Sequence, residues 1–71
     1  MKTIYMDEYQ NDGIFIDLET EYYYEDLISN HERYLNKDKK YYVWCRGGVK
    51  SKIVVTELLA LGYESVQVIT R

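Results

Sequence analysis

The stretch that decides the fold is Tyr41-Tyr42-Val43-Trp44-Cys45-Arg46-Gly47-Gly48-Val49-Lys50-Ser51, followed by an apolar helical pattern that closes at Gly62. Its first four residues are aromatic or β-branched, which predicts a strand over residues 41–44. Apolar residues recur at helical spacing over residues 51–61, and a glycine suits the position just past the end of a helix. The sequence therefore predicts a strand, a sharp loop and a helix, with Cys45 at the carboxyl end of the strand.

Further strand and helix signals lie on both sides of this stretch. Residues 14–18 are short, β-rich and nearly apolar, which fits a strand covered on both faces. Residues 3–5 predict a short leading strand, residues 66–69 a final strand, and residues 21–35 a helix. The alternation predicts an α/β fold with a small parallel sheet of three to four strands and flanking helices. Chemistry in such sheets collects beyond the carboxyl ends of the strands, where Cys45 stands.

Length and composition define the broad class of protein. The 71 residues suit a single domain over 1–71, and 46% apolar with 30% charged residues suits a globular chain. Because such short chains bury only about 60% of their unfolded surface, a homodimer would add stability, and the sequence leaves this open. The formal charge of -3 argues against nucleic-acid binding, which needs a concentrated basic face.

The single cysteine and the hydropathy pattern bear on the compartment. One cysteine cannot form an intrachain disulfide. Residues 1–10 contain no apolar core of signal-peptide length, and no apolar run approaches the ~20 residues of a membrane span. We therefore expect a cytoplasmic protein with a reduced thiol and no membrane association. His31 has no second histidine and no cysteine at ligand spacing, so we expect no metal site.

The loop that follows the cysteine strand is suited to negative charge. Gly47 and Gly48 permit backbone angles closed to other residues, so successive amides can point into one concavity. The start of the next helix adds a positive dipole end, and Arg46 and Lys50 add full charges. Such surroundings lower the pKa of a cysteine thiol. Two reaction classes use this arrangement: sulfur transfer through a cysteine persulfide, and phosphate or arsenate chemistry on a cysteine nucleophile.

The same loop resembles the active-site loop of rhodanese-like domains, whose common form reads Cys-Arg-Ser-Gly-x-Arg-Ser. The resemblance implies that Cys45 is the sulfur-carrying nucleophile. It also implies an anion-binding loop made of Arg46, Gly47, Gly48, Val49, Lys50 and Ser51. Gly47 replaces the usual serine, and Lys50 replaces the second arginine. The similarity continues through Leu58-Leu59-Ala60-Leu61-Gly62-Tyr63 and the following strand, and upstream through residues 14–18.

The resemblance implies a sulfurtransferase or sulfur carrier that needs no metal or organic cofactor. The thiolate would take sulfur from thiosulfate or a persulfide donor and pass it to a thiol or protein acceptor. Four residues separate the cysteine from the second basic residue, as in rhodaneses, whereas the related dual-specificity phosphatases carry one more. This spacing favours sulfur over phosphorus. For Asp17, at the end of a predicted strand, we expect a structural role through hydrogen bonds to local backbone.

Three features differ from the family pattern. The segment that usually separates the Asp strand from the cysteine strand is missing, which predicts a shortened, rhodanese-like three-layer architecture without one edge strand and with a more open site. Glu19 stands where the family often has an arginine. The chain ends at Arg71, where the family usually continues. These departures motivate an alternative function, a catalytically silent relative that acts as an interaction or redox-sensing module.

Overall fold

One parallel sheet organises the chain. The computed structural model describes residues 2–71. In chain order the elements are β1 (Thr3–Tyr5), a one-turn 3-10 helix (Met6–Glu8), β2 (Ile14–Asp17), α1 (Tyr24–Ser29), α2 (His31–Tyr34), β3 (Tyr41–Trp44), α3 (Val49–Ala60) and β4 (Val66–Thr70). The strands pair in the order β1-β4-β3-β2, all parallel. The predicted α/β fold with a small parallel sheet and flanking helices is therefore confirmed, and the sheet has four strands within residues 2–71.

The main core lies between the sheet and the helices. Ile16, Val43 and Val68, from three neighbouring strands, are at most 1% exposed and pack with Leu27 of α1 and Leu58 of α3. Alternate residues of a strand point to opposite faces, so these three define the helical face of the sheet. This packing holds β3 and α3 against each other, which fixes the loop between them.

Aromatic side chains cover the opposite face of the sheet. Tyr42, Trp44 and Ile69 form a second buried cluster, against which Phe15 and Met6 pack. Among residues 2–71 this cluster includes no side chain from α1, α2 or α3. The third layer of the predicted architecture thus consists of a single 3-10 turn and its aromatic neighbours in place of an α-helix.

The single helix predicted over residues 21–35 is wrong in extent. The structure has two short helices, α1 and α2, which are separated at Asn30. Asn30 adopts φ -117° and ψ 34°, and its side-chain amide donates a hydrogen bond of 2.7 Å to Oδ1 of Asp26. That bond joins side chains one helical turn apart, so the break lies in the backbone of Asn30, a residue of low helix propensity whose ψ leaves the helical region.

The helix that follows the loop matches its prediction closely. α3 begins at Val49, two residues before the predicted start, because Gly48 ends the loop in a left-handed conformation with φ +80°. At the other end Gly62 has φ +99°, and the N–H of Tyr63 donates to the carbonyl of Leu58 at 3.0 Å. These bonds close the helix as a Schellman motif does, and the predicted role of Gly62 is confirmed.

β2 forms one edge of the sheet. Its outer side has no paired strand within the part of the chain that the structure describes. Ile14 at its start is 44% exposed, whereas Ile16 is buried under the helices and Phe15 packs against the aromatic cluster. Beyond Ile14 the strand is covered on both faces, as predicted, and its outer edge is open. No helix between residues 2 and 71 has the length and apolar character needed to cross a membrane.

Candidate functional site

Cys45 lies directly after β3, at the carboxyl edge of the sheet, as predicted. The residue is 4% exposed and belongs to the main core cluster. Its thiol is free of any disulfide. The short connection from residue 45 to the start of α3 wraps around this sulfur atom.

The sulfur of Cys45 accepts hydrogen bonds from the backbone of the loop. The N–H of Gly48 donates to Sγ at 3.1 Å, and the N–H of Ser51 donates at 3.3 Å. Oγ of Ser51 lies 3.5 Å from the same sulfur. Three polar groups from the loop and the first turn of α3 therefore converge on one thiol, the concave amide arrangement that favours an anion.

These contacts determine the ionisation of the thiol. Burial alone raises the pKa of Cys45, because it disfavours the charged form. Hydrogen bonds from the Ser51 hydroxyl and from the amides of Ser51, Gly48 and Lys50 oppose this effect and outweigh it. The net pKa of Cys45 lies below its ordinary value of 9.0. The site therefore stabilises a thiolate, which is the nucleophilic form of cysteine.

The two glycines of the loop have different roles. Gly48 adopts φ +80°, which L side chains rarely adopt, and its N–H donates to Sγ of Cys45. Its carbonyl accepts a hydrogen bond of 3.1 Å from Oγ of Ser51, which ties the loop to α3. Gly47 has no positive φ, and a Cβ there would meet nothing within 4 Å. The sharp turn thus depends on Gly48 alone, where the sequence pointed to both.

Glu19 reaches the loop from the neighbouring strand end. Its Oε1 accepts a hydrogen bond of 2.8 Å from the backbone N–H of Arg46. Sequence reasoning noted Glu19 only as a departure from the family pattern and missed this contact. The signal lies in the register of the sheet, because Asp17 pairs with Trp44. Glu19 and Arg46 each follow two residues after this pair, just beyond the ends of β2 and β3, and therefore come side by side.

Asp17 organises the turn that carries Glu19. Its Oδ1 accepts the backbone N–H groups of Glu19 at 2.8 Å and Thr20 at 3.2 Å, and the Thr20 hydroxyl donates to Oδ2 at 2.8 Å. Burial raises the pKa of Asp17, but these hydrogen bonds outweigh it and leave the pKa below its ordinary value. The structure thus places Asp17 in a turn beside the site, where its hydrogen bonds are made to residues 19 and 20.

The remaining loop side chains face outward. Arg46 and Lys50 are exposed, and Val49 is 67% exposed. A shallow cavity of about 300 Å³ lies beside the loop, and its lining includes Glu19, Glu21 and Lys50 together with Leu18, Thr20, Tyr22 and Tyr23. Both cationic side chains are therefore free to meet a solute that approaches the loop.

The His31 side chain pairs with Tyr63 and not with the thiol of Cys45. Its Nδ1 lies 2.8 Å from the hydroxyl of Tyr63, and the two rings meet edge to face. Tyr63 follows the carboxyl end of α3, whereas Cys45 precedes the amino end of that helix. Across residues 2–71 no three His, Cys, Asp or Glu side chains are grouped in a way that could hold a metal ion.

Comparison of the chain with protein-family models, with curated proteins and with solved structures finds no match. A cysteine of lowered pKa sits in a nest of amides, with two cations on its outer side and one carboxylate bound to its first amide. This arrangement supports a sulfur nucleophile that forms a covalent adduct and holds negative charge on that adduct.

Proposed function

We propose that this chain is a small rhodanese-like sulfurtransferase or sulfur carrier that forms a persulfide on Cys45. One observation carries the proposal: Sγ accepts backbone hydrogen bonds from Gly48 at 3.1 Å and Ser51 at 3.3 Å. Oriented amides of this kind stabilise a thiolate before the reaction. They also suit the anionic outer sulfur of a persulfide afterwards, because its charge stays within the same nest.

The proposed reaction has two steps. In the first, the Cys45 thiolate attacks the outer sulfur of a donor. A Cys45 S–S bond forms, and the S–S bond of the donor breaks. The leaving group is sulfite when the donor is thiosulfate and a thiolate when the donor is an alkyl persulfide. In both cases it keeps the electron pair of the broken bond. In the second, an acceptor nucleophile such as cyanide or a thiol bonds to the outer sulfur, and the Cys45 thiolate leaves.

The donor and acceptor follow from this chemistry. The donor is a small molecule that carries sulfane sulfur, thiosulfate or a persulfide, and the acceptor is a thiol or a protein. The side chains used are those of the loop, with Arg46 and Lys50 available to an anionic donor. A free cysteine that must remain reduced suits the cytoplasm, where we place the activity.

A second candidate is a catalytically silent module that senses redox state or binds a partner. Two observations favour it: Cys45 is only 4% exposed, and the Arg46 amide is already engaged by Glu19. Limited access slows attack on a sulfur donor, while a thiolate can still be oxidised by a small oxidant. This candidate keeps the low pKa of Cys45 but involves no transferable sulfur.

Turnover separates the two candidates. The assay follows thiocyanate formed from cyanide with thiosulfate or an alkyl persulfide, for the parent chain and for Cys45→Ser. Sulfurtransferase function predicts catalytic thiocyanate release from the parent and none above background from the variant, with both proteins folded by circular dichroism. A parent chain that reacts rapidly with iodoacetamide but yields no thiocyanate supports the silent module. Turnover retained by Cys45→Ser would defeat the assignment of the nucleophile.

A further inference from the structure

The carboxylate of Glu19 engages the first amide of the cysteine loop. Its Oε1 lies 2.8 Å from the backbone nitrogen of Arg46, in the peptide unit that joins Cys45 to Arg46. The amides of Gly48 and Ser51 point instead at the sulfur. The backbone N–H of Arg46, one peptide unit from the nucleophile, therefore already donates a hydrogen bond to a carboxylate of the same chain.

The position of this carboxylate is built into the fold. The turn after β2 is closed by Asp17, whose carboxylate accepts the N–H of Glu19 and two hydrogen bonds from Thr20. The register of β2 with β3 then aligns this turn with the cysteine loop. Glu19 is therefore held at both ends: its backbone N–H donates to Asp17, and its carboxylate accepts the backbone N–H of Arg46.

Within residues 2–71 no cation lies close enough to Glu19 to form a salt bridge with it. The salt bridge found among residues 2–71 joins Lys40 and Asp12, at the other end of β3, so Glu19 has no cation within salt-bridge distance. Glu21 lines the same cavity as Glu19, with Lys50 as its one cation. The lining of this cavity therefore holds two carboxylates and one ammonium group, and the Arg46 side chain is not part of it.

We propose that Glu19 is a specificity-determining residue that disfavours dianionic sulfur donors such as thiosulfate and favours alkyl persulfides that carry a cationic group. The inference rests on the proposed function, whose two-step sulfur transfer it leaves unchanged. A dianion beside Cys45 is repelled by a carboxylate hydrogen-bonded to the adjacent peptide unit, and it cannot use the Arg46 amide. The ammonium group of an aminothiol persulfide is attracted by the same carboxylate.

The test compares two donors on three proteins. Thiosulfate and cysteamine persulfide are each incubated with the parent chain, Glu19→Gln and Glu64→Gln, and sulfur loading is timed by intact-protein mass. The glutamine of Glu19→Gln keeps an oxygen that accepts the Arg46 N–H and removes only the charge. Glu64→Gln makes the same charge change at the opposite end of the sheet, where Ser65 contacts the start of β3.

The readout is the ratio of the thiosulfate rate to the persulfide rate. We expect this ratio to rise about tenfold in Glu19→Gln, to stay unchanged in Glu64→Gln, and to differ less between proteins at high ionic strength. An unchanged ratio in Glu19→Gln, or an equal rise in both variants, overturns the role of Glu19 while sulfur transfer stands. If no protein is loaded by either donor, the proposed function fails, and this inference fails with it.

Discussion

Sγ of Cys45 and Oγ of Ser51 lie 3.5 Å apart, and the protonation state of the thiol decides which of them donates. With a protonated thiol, S–H points at Oγ, and the Ser51 hydroxyl donates to the carbonyl of Gly48 at 3.1 Å. Once the thiol has lost its proton, only the hydroxyl can donate between these two atoms, so its proton turns toward the sulfur. Ser51 thus supplies a hydrogen bond that exists only for the nucleophilic form.

Ser51→Ala should raise the pKa of Cys45, because it removes the hydroxyl but leaves the Ser51 and Gly48 amides in place. The pH dependence of iodoacetamide alkylation, followed by mass, measures this pKa directly. Thr56→Val is the matched control, since it removes an exposed hydroxyl from the same helix. An alkylation profile of Ser51→Ala that coincides with the parent profile would contradict the role of this hydroxyl.

The stability of the fold should depend on pH through Cys45. Since the pKa of its thiol is lowered on folding, its ionisation adds stability that is fully present above the unfolded value, near 9.0, and is lost as pH falls through the folded value. We expect the parent chain to gain stability relative to Cys45→Ser as pH rises toward 9.0. Urea unfolding of both proteins across this window measures the gain. A difference that shrinks as pH rises would show that the fold disfavours the thiolate.

Gly48→Ala should destabilise the protein by about 1–2 kcal/mol, because an L side chain at φ +80° is strained. The same variant should also slow alkylation of Cys45, since the strained loop moves the amide that contacts Sγ. Gly47→Ala is the control, with no atom within 4 Å of the added Cβ and no positive φ. Equal effects of the two substitutions in urea unfolding would argue that the turn does not depend on Gly48.

Leu58→Ala should cost about 2–5 kcal/mol, because Leu58 is fully buried between α3 and the sheet. A chain of this size has a total stability of about 4–10 kcal/mol, so the loss would remove about a fifth of it or more. Leu59→Ala, at a position 39% exposed on the same helix, should cost less than about 1 kcal/mol. Thermal unfolding of the pair checks the predicted packing of α3 against the sheet.

The elements that hold the cysteine could be predicted because their signals are local. The aromatic and β-branched run before Cys45 specifies β3, and Gly62 specifies the end of the following helix. The break at Asn30 could not, because apolar residues continue at helical spacing on both sides of it. The structure shows the break in the backbone angles of Asn30, whose ψ of 34° lies outside the helical region.

The candidate site was predictable as a loop but not as a set of contacts. The position of Cys45 after a strand and before a helix already indicated converging amides. Which amides reach the sulfur depends on a single left-handed residue, Gly48, and the sequence offered two glycines. The contact of Glu19 with Arg46 depends on the pairing of β2 with β3, which is non-local information.

Sulfur transfer by Cys45 is tested most simply by the mass of the intact protein after incubation with a sulfane-sulfur donor, with Cys45→Ser treated in parallel. Thiosulfate and an alkyl persulfide are used separately, and folding is verified for both proteins. We predict that the parent chain gains the mass of one sulfur atom from at least one donor, that cyanide or a thiol removes it, and that Cys45→Ser gains nothing. A folded parent chain that gains no sulfur from either donor, or a Cys45→Ser variant that gains as much, would contradict sulfur transfer through Cys45.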